Sequence, residues 1–373
     1  MPSAFTIQAC IILILYFILI MAFVVGWFHI PANEKRQFKN LRVSILIPLR
    51  NEAANLINLS NQLLNQDYPP ELMEIILIDD QSTDDSPAIL EEIIRQAPGR
   101  FIVLKTSARE SGKKAALKAG MSAASGELIL LTDGDSLPGL HWVATMAGHF
   151  HETGADLLLG PVLLDPADSP LRQIQKLEYM SLVSSTIGAA GIGHPIMAQG
   201  PNMAVRASDY KTMVSELVPG FASGDDVFLL QAMLKIPGKT VRVVLERDAV
   251  VLTKPAESIG AFFRQRHRWA SKASGYRNFF MAAVTLIVFF ANIEIVAALI
   301  LAAAGIVSFS VFFALLAIKS CADLALLARA ARFFNCKKLL WWLIPMQLIY
   351  PVYVSLTGIF SQLAPVRWKN PPA

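Results

Sequence analysis

ELILLTDGD, residues 127–135, is the stretch on which the fold turns. Residues 127–132 form a short apolar run of the kind that fills a buried strand. The run stops at two carboxylates flanking a glycine, Asp133 and Asp135 around Gly134. Carboxylates so placed can hold a hard divalent ion, which in turn bridges phosphate oxygens. Such a triplet also arises by chance in acidic surface turns, so its neighbourhood decides between the two.

Working outward, residues 43–48, 74–79 and 101–104 are further short, β-branched-rich runs, and residues 52–65, 84–96 and 113–124 carry helical patterns between them. Strands alternating with helices predict a parallel sheet with right-handed crossovers. Ligands of such sheets bind beyond the carboxyl ends of the strands, where Asp79-Asp80 and Asp133-Gly134-Asp135 both fall. Ser82 or Thr83 suits the N-cap of a helix starting near Asp84, which leaves Asp79 and Asp80 to face a nucleoside base or ribose. Gly112 and Lys113 open the next helix, where an anion would be welcome, although a solvated pair with Lys114 fits the same residues. The spaced upstream glycine of a Walker loop is missing.

Gly224-Asp225-Asp226 precedes an apolar helix at 227–234. Asp225 caps that helix, or the two carboxylates form a pair in which one raises the pKa of the other and makes it a general base. Gln265-Arg266-His267-Arg268-Trp269 lies on a helix beginning near Glu257, with Ile259, Phe262 and Phe263 on one face. That pattern reads as an interfacial amphipathic helix. Its arginines either bind lipid headgroups or, with the tryptophan, clamp a diphosphate and stack on a sugar.

The 373 residues are 54% hydrophobic and only 17% charged, an object part membrane and part water-soluble. A net charge of +4 without a dense basic stripe gives no reason to invoke nucleic acid. Cys10, Cys321 and Cys336 match no zinc or disulfide framework. Residues 5–28 carry no charge and suffice to cross a hydrocarbon core of about 30 Å. The run has no basic n-region and no small-residue cleavage site, so a retained helix is expected rather than a signal peptide. Lys35, Arg36, Lys39 and Arg42 follow it and place the polar middle in the cytoplasm.

Three more spans are expected near 281–303, 307–327 and 339–360, with the basic loop Arg329, Arg332, Lys337 and Lys338 again inside. A last span would carry Arg367 and Lys369 outside, against the rule, and Pro345 and Pro351 allow a broken or re-entrant segment instead. Glu294, Lys319 and Asp323 are ionisable groups inside these helices; Lys319 and Asp323 either compensate each other on one helix face or line an acceptor path. The expected division is an anchor at 1–33, an α/β domain at 34–256, an amphipathic helix at 257–278 and a membrane region at 279–373.

In this order and spacing, the motifs resemble those of the inverting family-2 glycosyltransferases. The opening strand with its Pro-x-x-Asn-Glu ending looks like residues 45–52, and D-D-x-S, G-K-x-x-A-L, D-x-D, G-x-N-x-A-x-R, G-D-D and Q-x-x-R-W are similar to segments starting at Asp79, Gly112, Asp133, Gly200, Gly224 and Gln265. The resemblance covers about residues 43–269. It implies a GT-A, Rossmann-like nucleotide-sugar domain inserted between transmembrane helices of an integral membrane protein, as in a bacterial inner membrane.

By that resemblance, Pro48, Asn51, Glu52, Asp79, Asp80, Lys113, Asp133 and Gly134 would bind the nucleotide sugar. Asp133 and Asp135 would place Mg²⁺ or Mn²⁺ on the diphosphate. Asp226, with Asp225, would be the base, and Arg268 would steady the leaving group. Asn202, Arg206, Gln265, Arg266 and Trp269 would gate donor and acceptor. Gln81 departs from the family, where glycine is common. A UDP-sugar donor is favoured, although no single residue decides between uridine and guanosine, and the acceptor is expected to be a lipid or glycan. The span layout looks like lipid-glycosylating members such as ceramide glucosyltransferases. A processive polysaccharide synthase ranks second, ahead of a non-catalytic scaffold and of a transporter, for which matching half-repeats are missing.

Overall fold

The computed structural model describes residues 4–31, 41–107, 110–213, 225–271, 275–276 and 278–363. Lys35, Arg36, Lys39, Gly224, Arg367 and Lys369 lie outside the described residues, as does the side chain of Asp225. The chain begins with α1 (Ala4–His29), β1 (Val43–Leu49), α2 (Ala53–Leu64), β2 (Met73–Asp79), α3 (Ser86–Gln96), β3 (Phe101–Lys105), α4 (Lys113–Ala123) and β4 (Leu128–Leu131). Next come β5 (Ser136–Pro138), α5 (Trp142–Thr153), β6 (Leu157–Leu159), β7 (Val162–Leu164), α6 (Pro170–Gly191), β8 (Met203–Arg206) and α7 (Ala207–Met213). The rest is α8 (Asp225–Lys235), β9 (Val241–Val243), β10 (Val251–Thr253), α9 (Ile259–Ala270), α10 (Phe279–Ala303), α11 (Phe309–Phe333) and α12 (Leu343–Leu363).

The chain divides into two compact units. The α/β unit, Ile30–Asp165 with Met197–Lys254, holds a seven-stranded sheet in the order β3-β2-β1-β4-β8-β6-β9 and a small sheet β5-β10-β7. Ile45, Leu46 and Ile47 of β1 are all fully buried, which requires cover on both faces, as in other sheets built from β-α-β crossovers. The first four strands are parallel as expected, but β8 runs antiparallel to both β4 and β6, so the sheet is mixed. The reason is local: α6 intervenes between β7 and β8, and β8 then enters the sheet from the opposite end. The register pairs Leu49 with Asp79 and Leu46 with Leu131. The carboxyl ends of β1, β2 and β4 therefore share one edge, which gathers the acidic loops.

The helical unit is Met1–His29, Pro166–Ile196 and Pro255–Ala373. Residues 166–196 thus pack with the apolar helices, whereas the sequence pattern predicts them inside an α/β domain at 34–256. The contact that draws α6 there is built from glycines. A Cβ on Gly26 would come within 1.9 Å of the Gly188 carbonyl oxygen, and one on Gly191 equally close to that of Gly26. Only bare backbone allows α1 and α6 to cross so closely, and Trp27 Nε1 then donates to the Ser184 carbonyl at 2.9 Å.

Four helices among the described residues are long and apolar enough to cross a membrane: α1, α10, α11 and the stretch Lys337–Ser361 containing α12. Their ionisable groups are paired inside the unit. Lys319 Nζ lies 2.7 Å from Asp323 Oδ2, and Gln347 donates to the same oxygen at 2.8 Å. Gln8 donates to Glu294 at 3.0 Å. These partners fit the self-compensating reading of the buried charges, since an ion in a dry environment must be both paired and hydrogen-bonded.

Candidate active site

Helix α4 starts at the acidic edge, and its first residues show what that edge does. The Gly112 backbone N–H donates to both oxygens of Asp80, at 2.8 and 2.9 Å. Thr106 Oγ1 adds a third bond at 2.8 Å. The anion at this helix N-terminus is thus the chain's own Asp80, which is 1% exposed. Asp79 is also buried and accepts from the Ser82 N–H at 3.1 Å. Both aspartates stand at the strand end, as expected, but their oxygens are turned into the loop.

The expected Ser82 or Thr83 cap is not formed, because the helix begins later, at Ser86. Asp84 accepts from the N–H of Ser86 instead, at 3.0 Å, and also from that of Ala53. Ser82 Oγ takes the Asn51 N–H at 2.9 Å, while Asn51 Oδ1 takes the Thr83 N–H at 2.8 Å. The loops after β1 and β2 are therefore laced together. Asn51 and Gln81 both have φ of +56°, a conformation that suits glycine. This explains the departure at Gln81: the backbone there favours glycine, and the longer side chain is anchored by donating to the Ser107 carbonyl at 2.7 Å.

Pro48, Lys113, Thr132, Asp133, Gly200 and Asp226 line one cleft. Lys113 Nζ is 2.6 Å from Asp133 Oδ1. A Cβ built on Gly200 would lie 3.3 Å from Lys113 Nζ, 3.7 Å from Asp226 Oδ2 and 3.8 Å from Asp133 Oδ2. One ammonium and two carboxylates thus converge over a glycine that leaves them room. Asp226 Oδ1 accepts from the Val227 N–H at 2.8 Å, which fixes the carboxylate at the start of α8. Thr132 Oγ1 is buried and has no hydrogen-bond partner among the described residues, a group the sequence reading passed over.

Asp135 completes the acidic edge. Its burial, followed by the charges of Asp133 and Glu52, pushes its carboxyl up to about 7, with Lys113 pulling the other way. Gly134 is what allows the crowding, because a Cβ there would meet Glu52 Cγ at 2.9 Å. Among the described residues no three His, Cys, Asp or Glu side chains form a ready metal cage. Mg²⁺ is commonly held by one or two carboxylates together with substrate phosphates rather than by an all-protein cage. Asp133 and Asp135 fit that mode, and their mutual repulsion is what a divalent cation would relieve.

Three of the expected gate residues are held by contacts within the protein. Asn202 is fully buried. Its amide donates to the carbonyls of Pro161 and Ala249, at 2.8 and 2.7 Å, and accepts from Trp142 Nε1 at 2.9 Å. It ties three segments of the core. Arg206 pairs with Leu128 in the β4–β8 register, at the opposite end of β4 from Asp133. Its guanidinium rests on the Phe150 ring at 4.7 Å and bonds the Gly154 carbonyl at 3.2 Å.

The remaining motif lies on α9 in the helical unit. Arg266 is 3% exposed and paired with Glu178 of α6 at 2.9 and 3.0 Å, its guanidinium 4.1 Å from the Trp269 ring centre. It fastens α9 to α6. Gln265 accepts from Arg266, while Arg268 is partly exposed. The expected apolar face is split: Phe262 is buried against Tyr353 of α12 at 5.3 Å, while Ile259 and Phe263 are exposed. Sequence alone gave no sign of Glu178, whose partner is 88 residues away.

With this geometry in place, likeness to known proteins has a frame. The family model described as Glycosyl transferase family 2 matches residues 44–212. The chain is 24% identical over 259 residues to the beta-monoglucosyldiacylglycerol synthase of Synechocystis sp., covering 64% of this chain and 48% of that protein. It is 27% identical over 217 residues to the poly(ribitol-phosphate) beta-glucosyltransferase of Bacillus spizizenii, covering 57% of this chain and 32% of that one. The chain thus spans half or less of the length of these curated relatives.

Among solved structures, the mannosyltransferase PcManGT of Pyrobaculum calidifontis, in complex with GDP-Man and Mn²⁺, has the same fold. Its TM-score is 0.56 at 19% identity, over 96% of this chain and 98% of that one. The family match runs across nearly all of β1 to α7, which holds the acidic edge and every strand of the main sheet except β9, and over that segment the chain carries a family-2 glycosyltransferase domain.

Proposed function

We propose that the chain is a membrane-bound inverting glycosyltransferase that moves one sugar from a nucleotide-diphosphate sugar, by preference a UDP-sugar, to a lipid hydroxyl at the cytoplasmic face. The observation that carries the reading is the convergence of Lys113, Asp133 and Asp226 over Gly200. A base and a diphosphate site within one cleft is what a single in-line displacement needs. The lipid acceptor is supported by the four membrane-length helices and by a relative named for a glucosyldiacylglycerol. Lys35, Arg36, Lys39 and Arg42 support the cytoplasmic placement.

In the reaction, Asp226 takes the proton of the acceptor hydroxyl. The acceptor oxygen bonds to the anomeric carbon as the bond to the nucleotide breaks, and its electron pair leaves on the diphosphate. Attack opposite the leaving group inverts that carbon, giving a β-linkage from an α-linked donor. Mg²⁺ or Mn²⁺, held by Asp133 and Asp135, would neutralise charge on the departing diphosphate. Lys113 exchanges its Asp133 contact for phosphate, and Gln265, Arg268 and Trp269 carry the closing role by the motif they share with the family.

Binding can be tested apart from turnover. Mn²⁺ with UDP is expected to stabilise the purified protein far more than either alone, by about 2.7 kcal/mol at one hundred times the dissociation constant. Asp135→Asn should lose that shift while keeping the unliganded melting temperature, and an unchanged shift would reject the metal assignment. The acceptor is tested by incubating membranes with labelled donor sugar and extracting with organic solvent. Label is expected in a glycolipid carrying one or a few sugars; label confined to insoluble polysaccharide would reject the lipid acceptor in favour of a processive synthase.

A further inference from the structure

We infer that α12, although long and apolar enough to span, does not cross the membrane: it docks in a single leaflet, on the side where α6 and α9 lie, and its outer face is covered by lipid.

Before α12, in the turn that follows α11, Cys336 Sγ is 3.6 Å from Met180 Sδ of α6. Helix α6 is joined by short segments to β7 before it and β8 after it, and it is not among the membrane-length apolar helices. At its far end, α12 lies along α9. Tyr353 packs on Phe262 and Phe263 at 5.3 and 5.9 Å, and two turns later the Phe360 carbonyl faces His267 Nε2 at 3.4 Å. The contacts advance together along both helices, so the second half of α12 runs beside α9. A short loop joins α9 to β10, and no span lies between them. The turn before α12 and the far end of the helix therefore both rest on elements joined to strands with no membrane-length helix between.

The faces of α12 agree. Ile344, Leu348, Val352, Leu356 and Ile359 recur every three or four residues and are between 43% and 69% exposed, an apolar stripe on one side. The inward side is mixed, with Gln347, Ser355 and Ser361 buried beside Leu343 and Met346, and with Tyr353 donating to Glu178 at 3.3 Å. An apolar outer face on a helix of membrane length fits lipid as its partner, because exposed apolar patches of this kind mark interaction surfaces. Pro351 lies within the helix and removes one backbone donor, which suits a bent, in-plane segment. Charge points the same way. A spanning α12 would export Arg367 and Lys369, whereas a one-leaflet α12 keeps them with the other basic loops.

The test compares three single cysteines in a chain lacking the native ones: Glu91→Cys on α3, Ile306→Cys between α10 and α11, and Asn370→Cys beyond α12. Each is treated with an impermeant maleimide in sealed vesicles of both orientations. Asn370→Cys is expected to label in the same orientation as Glu91→Cys, and to be protected where Ile306→Cys reacts. Labelling of Asn370→Cys together with Ile306→Cys would overturn the inference and make α12 a span. The comparison does not depend on which side is cytoplasmic, so a reversed orientation would count against the proposed placement alone. If Glu91→Cys and Ile306→Cys label alike, the membrane reading of α10 fails and the inference fails with it.

Discussion

Asp226→Asn is expected to lower the rate of sugar transfer by about 10²–10⁴-fold, the range for loss of a general base. In barrier height that is about 3–5 kcal/mol. The substitution keeps the size of the side chain and an oxygen for the Val227 N–H, so the start of α8 should hold. It removes only the capacity to accept a proton. Binding of UDP with Mn²⁺ is therefore expected to stay within about twofold of wild type, since uniform binding and transition-state stabilisation separate in such a variant. The measurement pairs single-turnover transfer with nucleotide titration on the same preparation. A variant that transfers sugar at the parental rate would remove Asp226 from the base role and direct attention to Asp225. If binding falls in step with transfer, Asp226 is a donor contact instead.

How much of this was legible in the sequence depended on where each signal resides. The runs that became β1, β2 and β4 were placed to within a residue or two, because a strand buried on both faces is a continuous apolar block. Strands β5, β6, β7, β9 and β10 are three residues each, too short for any period to show. Membership of α6 in the helical unit was hidden for another reason: it rests on glycine-to-glycine approach with α1, more than 150 residues distant in the chain. The acidic motifs were found by residue type and strand-end position, but residue type does not say which way a carboxylate turns. Asp80 and Asp133 look equivalent in sequence. One is folded inward on the Gly112 N–H and the other faces Lys113 in the cleft. Gln81 shows the converse, a departure from a familiar motif that only backbone geometry explains.

Asn202 is where the motif and the structure diverge most, and its removal should be felt in stability rather than in gating. Asn202→Ala deletes three buried hydrogen bonds at once. Trp142 is fully buried, so its indole N–H would be left without a partner, at about 1–3 kcal/mol. The Ala249 carbonyl loses the amide as well, while that of Pro161 keeps the Val251 N–H at 3.1 Å. Adding the cavity left by the amide, the expected loss is about 3–5 kcal/mol, at the upper end for a single substitution. Leucine would not rescue it, since it fills the space but offers no acceptor to Trp142. The check is a denaturation midpoint for the purified protein, read beside transfer per folded molecule. A scaffold residue should lower the midpoint sharply and leave the rate of the folded fraction near normal. A gate residue would do the reverse, and a variant with parental stability but altered donor or acceptor KM would return Asn202 to the entrance of the site.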